Sequence, residues 1–318
     1  MTVLVAPDSF KGTLAAATVA AALARGLRAG GYETVELPIA DGGEGTMDAL
    51  GGEIHSAKLS DPLGRPVEAR FSLLDGGRTG VVEMAEASGL RLVSEEERDA
   101  FAASTRGTGE LIAAAVAAGA RSVVVAVGGS ATTDGGAGAL EALDASDVGD
   151  VPITVLCDVR TAWEDAPRLF GPQKGADART VKRLEKRLDE LASRAPRDPR
   201  GVPMTGCAGG LSGGLWAFRG ARLVPGAAYV LDAIGFDGHM REARFVVTGE
   251  GRLDAQTLEG KACAEVATRA RQGGVACHAV VGKNDLDPFR ARVLDFGVVI
   301  EAGDEAALEA AGRQLAEL

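Results

Sequence analysis

The feature that most limits how this chain can fold is the pairing of short, fully apolar segments with glycine-rich loops. Residues 122–127 read SVVVAV and run directly into a dense glycine run at 128–138, which opens a segment of small residues. A strand that is apolar on both faces is typical of a parallel sheet covered by helices. In such sheets ligands bind at the carboxyl ends of the strands. The sequence therefore predicts an α/β protein with ligand loops rich in glycine.

The two ends of the chain share this strand–loop–helix design. Residues 3–6 form an apolar strand that breaks at PDSFKG (7–12), and Thr13 is the expected N-cap of a helix that ends at Gly30 and Gly31. After residue 240 the alternation returns. The predicted strands there are 245–247, 276–281 and 296–300, and the predicted helices are 261–271 and 304–317.

The middle of the chain has a different pattern. Alternating segments flank DGGR (75–78) and predict a hairpin. A helix at 110–118, a strand at 153–157, a charged helix at about 180–194 and a surface loop at 195–206 follow. We therefore predict two α/β domains: a doubly wound (Rossmann- or flavodoxin-like) parallel-sheet domain of residues 1–57 and 240–318, interrupted by an inserted second α/β domain of residues 58–239.

Composition narrows the class of partner. The net charge of the 318-residue chain is −11 and there is no basic stripe, which disfavours nucleic acid. No apolar run approaches the roughly 18 residues of a membrane span. The first residues lack the basic segment of a signal peptide, and the four cysteines have no CxxC spacing, so we expect a cytoplasmic protein with reduced thiols.

The loop at 128–138 is the sharpest candidate site. Glycines let the backbone approach an anion, a helix N-terminus supplies free N–H groups, and Ser130 and Thr132 add hydroxyl donors. The alternative is a turn that needs positive φ angles. The loop has neither the GK[ST] of a P-loop nor a GxGxxG fingerprint. Similar loops at 105–110 and 206–211 are weaker and are expected to be structural.

Carboxylates and lysines stand beside other glycines. Asp41 and Glu44 flank one glycine pair, and Glu250 and Asp254 follow a predicted strand. Such groups hold Mg²⁺ or accept a hydroxyl proton, or else they form N-caps and Asx turns. Three lysines, Lys11, Lys174 and Lys261, also stand beside glycine, and each either neutralises an anion or is a solvated surface side chain.

Together these segments resemble the glycerate kinase family whose members phosphorylate D-glycerate with ATP, distinct from the P-loop and sugar-kinase-like enzymes of the same name. The matching segments keep the family's order and cover most of the chain. They are APDSFKGTLAA (6–16), PIADGGEGT (38–46), EMAEASGLRLV (83–93), STRGTGELI (104–112), GGSATTDGGAGALEAL (128–143), CDV (157–159), FGPQKGA (170–176), CAGGLSGGL (207–215) and VVTGEGRLDAQTLEGK (246–261).

The resemblance implies a small-molecule acceptor, glycerate, with ATP and Mg²⁺, and an active site in the cleft between two domains. It suggests Lys11 for the glycerate carboxylate or the transferred phosphoryl group, and Asp158 or Asp254 as proton acceptor or metal ligand. The hydroxyl that is phosphorylated and the oligomeric state stay open. The residues assigned are Asp8, Ser9, Lys11, Asp41, Gly42, Gly43 and Glu44 for substrate; Gly128, Gly129, Ser130, Thr132, Asp134, Gly135, Gly136 and Lys174 for nucleotide phosphates; Lys11, Asp158 and Asp254 for catalysis; and Asp158 and Glu250 for metal.

The chain departs from the family in several places. The connection from Leu143 to Ile153 is about twenty residues shorter than usual, Thr133 replaces an Asn, and residues 160–169 replace an Asn-Pro-Leu stretch and a Gly-rich loop. Two alternatives follow: a catalytically weak paralogue that binds nucleotide or hydroxy acid as a regulator, or a kinase of a related small hydroxy acid. A nicotinamide-dependent oxidoreductase is disfavoured because GxGxxG is absent.

Overall fold

The computed structural model describes the backbone of residues 1–318 and all side chains except that of Glu259. The chain divides into two compact units. Unit 1 comprises Met1–Asp41, Asp48–Leu50 and Ala227–Leu318, and unit 2 comprises Gly42–Met47 and Gly51–Gly226. Both units have helices packed on a sheet, so the predicted α/β fold class is confirmed.

The elements are as follows. The strands are β1 (Thr2–Pro7), β2 (Glu33–Glu36), β3 (Glu53–Ser60), β4 (Pro66–Leu74), β5 (Thr79–Glu83), β6 (Ser122–Ala126), β7 (Ile153–Cys157), β8 (Arg222–Pro225), β9 (Phe245–Gly249), β10 (Arg252–Leu253), β11 (Ala276–Val281), β12 (Lys283–Asn284) and β13 (Val299–Glu301). The α-helices are α1 (Ala16–Ala29), α2 (Thr46–Leu50), α3 (Ala85–Ser88), α4 (Arg106–Ala117), α5 (Ala137–Asp144), α6 (Ala166–Phe170), α7 (Ala178–Ala192), α8 (Leu211–Arg219), α9 (Gly226–Ala233), α10 (Phe236–Glu242), α11 (Ala262–Gly273), α12 (Pro288–Ala291) and α13 (Glu305–Leu315).

Unit 1 is a doubly wound parallel sheet. Its strand order is β13-β11-β9-β1-β2, and every neighbouring pair is parallel. Successive side chains of a strand point to opposite faces. Val3 and Val5 accordingly pack in the core with α1 and α13, whereas Leu4 and Ala6 pack in the core with α9, α10 and α11. A separate pair of short strands, β10 and β12, is also parallel.

The predicted N-cap of α1 is wrong. The helix begins at Ala16 with Ala15 as its N-cap residue, and the hydroxyl of Thr13 donates instead to the carbonyl of Phe10. The reason is a tight loop in which Phe10 and Leu14 form an isolated bridge, so the helix begins two residues later than predicted.

Unit 2 contains a six-stranded mixed sheet in the order β3-β4-β5-β6-β7-β8. β3, β4 and β5 are antiparallel neighbours, which confirms the hairpin predicted around DGGR, and β5 to β8 are parallel. The parallel strands place Glu83, the loop after β6 and Asp158 at one edge of the sheet, because the carboxyl ends of parallel strands lie together.

The compact units divide the chain at other residues than the predicted domains. A boundary after residue 57 would cut β3, which pairs with β4 from Glu53 to Ser60. A boundary before residue 240 would separate Leu231 and Phe236 from the core of unit 1, where they pack with Leu4. The hydrophobic pattern of a segment does not show which sheet its strand joins, so the pattern could not define the boundaries of the two units.

Several elements had no counterpart among the predictions. They are the strands β3, β8, β10 and β12 and the helices α2, α3, α6, α8, α9, α10 and α12, most of which are short. Among the described residues, no helix is both long and apolar enough to cross a membrane.

Candidate functional site

Unit 1 has a pocket of about 400 Å³ at the carboxyl ends of β1, β9 and β11. This is the edge at which open α/β sheets bind ligands. Four residues assigned to substrate from the sequence line it: Asp8, Ser9, Lys11 and Asp41. Glu250, assigned to metal, lines the same pocket. The remaining polar side chains of the lining are Thr13, Arg252, Lys261 and Lys283.

Buried carboxylates dominate the electrostatics of this pocket. Burial, with repulsion from Asp41, raises the pKa of Asp8 to about 8, against the opposing effect of Lys11. Burial likewise raises the pKa of Glu250 to about 7, although the Thr257 hydroxyl donates to its Oε1 at 2.8 Å and Lys261 is nearby. Both groups therefore exchange protons near neutral pH, which suits general acid–base chemistry.

Lys11 provides positive charge beside these carboxylates. Its Nζ lies 2.9 Å from Oδ2 of Asp41, which is 1% exposed, while the lysine side chain is 50% exposed. The ammonium therefore faces both a buried anion and the open pocket.

Asp254 does not line the pocket. Its carboxylate accepts a hydrogen bond from the backbone N–H of Gln256, and its own backbone N–H donates to Thr257. This is the Asx-turn arrangement that was the alternative for this residue. Its neighbour Glu250 is the carboxylate that reaches the pocket.

Unit 2 has a second pocket, of about 230 Å³, beside the loops that follow β6 and β7. It is lined by four of the residues assigned to phosphate, metal or catalysis, which are Gly129, Ser130, Asp158 and Lys174. Its apolar wall comprises Leu90, Val127, Val159, Phe170 and Ala208.

Lys174 is the buried cation of this second pocket. Its Nζ donates to Oγ of Ser130 at 2.8 Å and to the carbonyl of Thr132 at 2.6 Å, and the residue is 1% exposed. Burial lowers its pKa to about 7, against the attraction of Asp134 and Asp158. An anion in the pocket would favour the protonated form and recover the energy lost on burial.

The second half of the glycine loop faces the protein interior. The carboxylate of Asp134 accepts hydrogen bonds from the backbone N–H groups of Gly136 and Gly138 at the start of α5, and from Thr105. Gly135 and Gly136 have φ values of +66° and +78°. The predicted start of a helix here is confirmed, but Asp134 already takes up N–H groups that the prediction offered to phosphate.

Thr132 is also buried in this half of the loop. Its hydroxyl has no hydrogen-bond partner among the described residues, and its carbonyl is the acceptor for Lys174. Of the loop, only Gly129 and Ser130 line the pocket.

The segment at 41–44 is shared between the units. Asp41 belongs to unit 1, whereas Gly42, Gly43 and Glu44 belong to unit 2. Gly42 has a φ of +92° and its carbonyl accepts from Val127. A Cβ on Gly128 would lie 2.6 Å from Cα of Gly43, so these two backbones pack against each other. The predicted substrate glycines thus support the loop after β6.

The departure at 160–169 is anchored by Trp163. This side chain is 1% exposed, and its indole N–H donates to the carbonyl of Leu188 at 3.1 Å. A Cβ at Gly135 would approach Trp163 to 2.8 Å, so the tryptophan fills the space beside the glycine turn. The residues that flank the departure, Val159 and Phe170, line the second pocket.

The two predicted metal ligands fall in different units, Asp158 in unit 2 and Glu250 in unit 1. Among the described residues, no group of three or more His, Cys, Asp or Glu side chains is arranged to hold a metal ion. Mg²⁺ in phosphoryl-transfer sites is commonly held by one or two carboxylates together with substrate phosphates. A single carboxylate such as Asp158, in a pocket with Ser130 and Lys174, fits that mode of binding.

Arg252 and Lys283 line the first pocket but were not singled out in the sequence. Each directly follows a glycine, Gly251 or Gly282, at the end of a strand. They share this position beside a glycine with Lys11, Lys174 and Lys261, which is the signal in the sequence that points to them.

A sequence model of the glycerate kinase family matches residues 3–148 and 145–311. The chain belongs to the glycerate kinase family. It is accordingly a kinase that transfers a phosphoryl group to a hydroxyl group. The two matches meet at residues 145–148, within the connection that is short for a glycerate kinase.

Individual family members support this assignment. The chain is 38% identical to a glycerate kinase of Bacillus subtilis, over 90% of this chain and 86% of the relative. It is 38% identical to a glycerate 2-kinase of Escherichia coli, over 86% and 82%. A crystal structure described as "putative glycerate kinase 2" from Salmonella typhimurium matches with a TM-score of 0.83 and 31% identity, covering 100% of this chain and 97% of the other.

Proposed function

We propose that this kinase phosphorylates D-glycerate with ATP in the presence of Mg²⁺ and releases phosphoglycerate. The observation that carries the proposal is the first pocket, where the Lys11 ammonium stands beside carboxyl groups that exchange protons near neutral pH. An acid with a free hydroxyl needs both a cation for its carboxylate and an acceptor for its hydroxyl proton. The relatives named glycerate kinase support the choice of acid, and the E. coli glycerate 2-kinase favours transfer to the 2-hydroxyl.

In this proposal the first pocket binds the acceptor. Lys11 holds an anionic oxygen of the substrate, and Glu250 takes the hydroxyl proton. We prefer Glu250 to Asp254 because Glu250 lines the pocket and its pKa is raised to about 7, whereas the Asp254 carboxylate is bonded within a turn. A base with a pKa near the working pH combines a useful ionised fraction with useful basicity.

The second pocket is proposed to bind the donor phosphates. Lys174, Ser130 and the backbone at Gly129 offer N–H and O–H donors, and Asp158 would hold Mg²⁺. The metal would supply neutralisation of phosphate charge. Phosphoryl transfer depends mainly on alignment and charge neutralisation, so Lys174 and the backbone donors carry the protein's share. The apolar wall suits a nucleobase.

The altered segment 160–169 is expected to affect binding of the phosphoryl donor more than binding of the acceptor. Its flanking residues Val159 and Phe170 line the second pocket, and none of its residues lines the first. We therefore expect the departure to affect the choice of nucleotide and to leave the recognition of the acid intact.

The test is ATP consumption by the purified protein with a panel of three- and four-carbon hydroxy acids, with and without chelator. We expect Mg²⁺-dependent turnover with D-glycerate, and phosphorus NMR should assign the product as 2-phosphoglycerate. Glu250→Gln should lower kcat at least about a hundredfold, as expected on loss of a general base, while Asp254→Asn serves as the matched control. Binding of nucleotide without turnover of any hydroxy acid would favour the regulatory paralogue.

A further inference from the structure

The first pocket has a second set of cations that the proposed function does not yet use. They lie where three backbone segments pack closely: the loop at Phe10, the turn after β9 at Gly251, and Gly282 directly after β11. A Cβ on Gly251 would lie 3.2 Å from Cα of Phe10, and one on Gly282 would lie 2.5 Å from the carbonyl oxygen of Gly251. The residue after each contact is basic: Lys11, Arg252 and Lys283. All three basic residues line the pocket.

The short sheet fixes two of these cations side by side. β10 and β12 are parallel, with Arg252 and Lys283 as direct partners across the strands. The backbone N–H of Lys283 donates to the carbonyl of Gly251 at 3.0 Å, and that of Asp285 donates to Leu253 at 2.9 Å, so the register is held on both sides. Their side chains are 60% and 59% exposed.

Arg252 and Lys283 together carry more positive charge than their shared acidic partner neutralises. Both cations contact the same carboxylate, Asp285, at 3.5 Å from Arg252 and 2.8 Å from Lys283. Like charges directly opposite each other on neighbouring strands are unfavourable. Two cations that share one anion leave a net positive charge on the Arg252–Lys283–Asp285 group.

We propose that Arg252 and Lys283 form a cationic clamp that binds an anionic oxygen pair of the ligand in the first pocket, most directly the carboxylate of the hydroxy acid. This proposal rests on the proposed function and deepens it, because it names the side chains that would select an acid over a neutral polyol. The planar guanidinium of Arg252 offers a fork of donors that matches carboxylate or phosphate, and Lys283 adds a point charge. A phosphoryl group is the other source of the same chemistry.

Steady-state kinetics of single variants at Arg252 and Lys283 distinguish a carboxylate ligand from a phosphoryl ligand. Arg252→Gln and Lys283→Gln remove one charge each, and Arg25→Gln is the matched control, since Arg25 is an exposed cation of unit 1 that pairs with Glu305 and Glu309 and does not line the pocket. With a carboxylate ligand, KM for D-glycerate should rise about tenfold or more, while the neutral amide D-glyceramide and ATP are affected less than about twofold. A rise confined to KM for ATP would identify a phosphoryl ligand. Arg252→Lys should recover part of the loss.

Titration calorimetry tests whether Arg252 binds an anion, independently of whether the protein turns over a substrate. D-Glycerate and inorganic phosphate are titrated separately into wild type, Arg252→Gln and Arg25→Gln, with thermal melting as the check on folding. Weaker binding of either anion by Arg252→Gln alone supports the clamp, even if no hydroxy acid is phosphorylated and the proposed function fails. Equal binding by all three proteins, or binding of neither anion by wild type, overturns it.

Discussion

The Nζ of Lys11 lies 2.9 Å from the carboxylate of Asp41, and one partner of this ion pair is buried while the other is half exposed. A pair between two fully exposed groups would contribute little. Here the lysine also opposes the repulsion that raises the pKa of Asp8. Lys11, which is half exposed to the open pocket, therefore influences the protonation state of the buried Asp8.

Lys11→Met should impair catalysis more than folding. We expect kcat/KM for D-glycerate to fall by roughly tenfold or more, equivalent to about 1.5–3 kcal/mol, because a charge-assisted contact with the substrate is lost. The pKa of Asp8 should rise further when the opposing cation is removed. Steady-state kinetics between pH 6 and 9 measure both effects.

The control for Lys11 is Lys186→Met on the outer surface of α7. The ammonium of Lys186 lies 3.7 Å from Glu190 and both side chains are largely exposed. Unchanged kinetics in both variants would show that Lys11 is an ordinary surface lysine.

The raised pKa values of Asp8 and Glu250 predict the pH dependence of stability. Their pKa values rise from 3.8 and 4.5 in the unfolded reference to about 8 and about 7. Between these values the folded protein binds more protons than the unfolded chain, so the free energy of unfolding falls as pH rises from about 4 to 8. Asp8→Asn removes the unfavourable free energy of ionising the buried Asp8 carboxyl group. It should raise the melting temperature at pH 8, have little benefit at pH 4, and lower activity.

A matched variant identifies the cause of that gain. Asp254→Asn alters a nearby carboxylate that does not line the pocket and whose repulsion is a minor cause of the raised pKa of Glu250, so it should stabilise the protein at pH 8 much less than Asp8→Asn does. Differential scanning calorimetry at the two pH values is the measurement. A melting temperature for Asp8→Asn at or below that of wild type at pH 8 would show that Asp8 is not strained by its surroundings.

Lys174→Met should abolish binding of the donor nucleotide. The variant removes the ammonium that donates to Ser130 and Thr132, but methionine occupies much of the same buried volume. In wild type the pKa of Lys174 is lowered to about 7, so its positive charge is lost as pH rises past 7, and ATP binding by the free enzyme should weaken over that range. The free energy of unfolding should instead increase as pH rises from 7 to 10.5, because over this range Lys174 has lost its proton in the folded protein but keeps it in the unfolded chain.

Calorimetric titration of ATP at pH 6 and pH 9 tests this behaviour. Wild type should bind more tightly at pH 6, and Lys174→Met should show weak binding at both values. Lys182→Met, on the exposed face of α7, is the control. Nucleotide affinity in Lys174→Met equal to that of wild type would place the phosphates elsewhere.

The sequence was sufficient for features that depend on local pattern. Glycine-rich turns after apolar runs were correctly predicted to follow strands, and β7 and β11 match their predicted bounds. Thr13 failed as an N-cap because the bridge between Phe10 and Leu14 is a tertiary detail of the loop. The grouping of β3 with the second sheet also depends on long-range pairing that periodicity does not encode.

The candidate sites were predictable in chemistry but not in orientation. The sequence identified the loop at 128–138, yet it did not show that Gly129 and Ser130 line a pocket while Asp134 caps a buried helix end. Glycine serves both purposes, and only packing separates them. The same holds for Glu250 and Asp254, which are alike in composition and differ in which one faces the pocket.

The final prediction concerns Gly135, which we now expect to act through folding and not through phosphate. A Cβ there would lie 2.7 to 2.9 Å from Leu191, Trp163 and Leu188, and its φ of +66° is rarely adopted by residues with side chains. Gly135→Ala should therefore destabilise the protein by more than about 2 kcal/mol, from overpacking and backbone strain together. Thermal unfolding followed by circular dichroism measures the change.

Gly149→Ala is the control that separates strain from overpacking. Gly149 has a φ of +60° and nothing within 4 Å of its added Cβ, so only the backbone term of about 1 kcal/mol should appear. In the folded fraction of Gly135→Ala, KM for ATP should stay within about twofold of wild type, since Gly135 does not line the second pocket. A variant that melts like wild type but has lost ATP binding would restore the phosphate interpretation of Gly135.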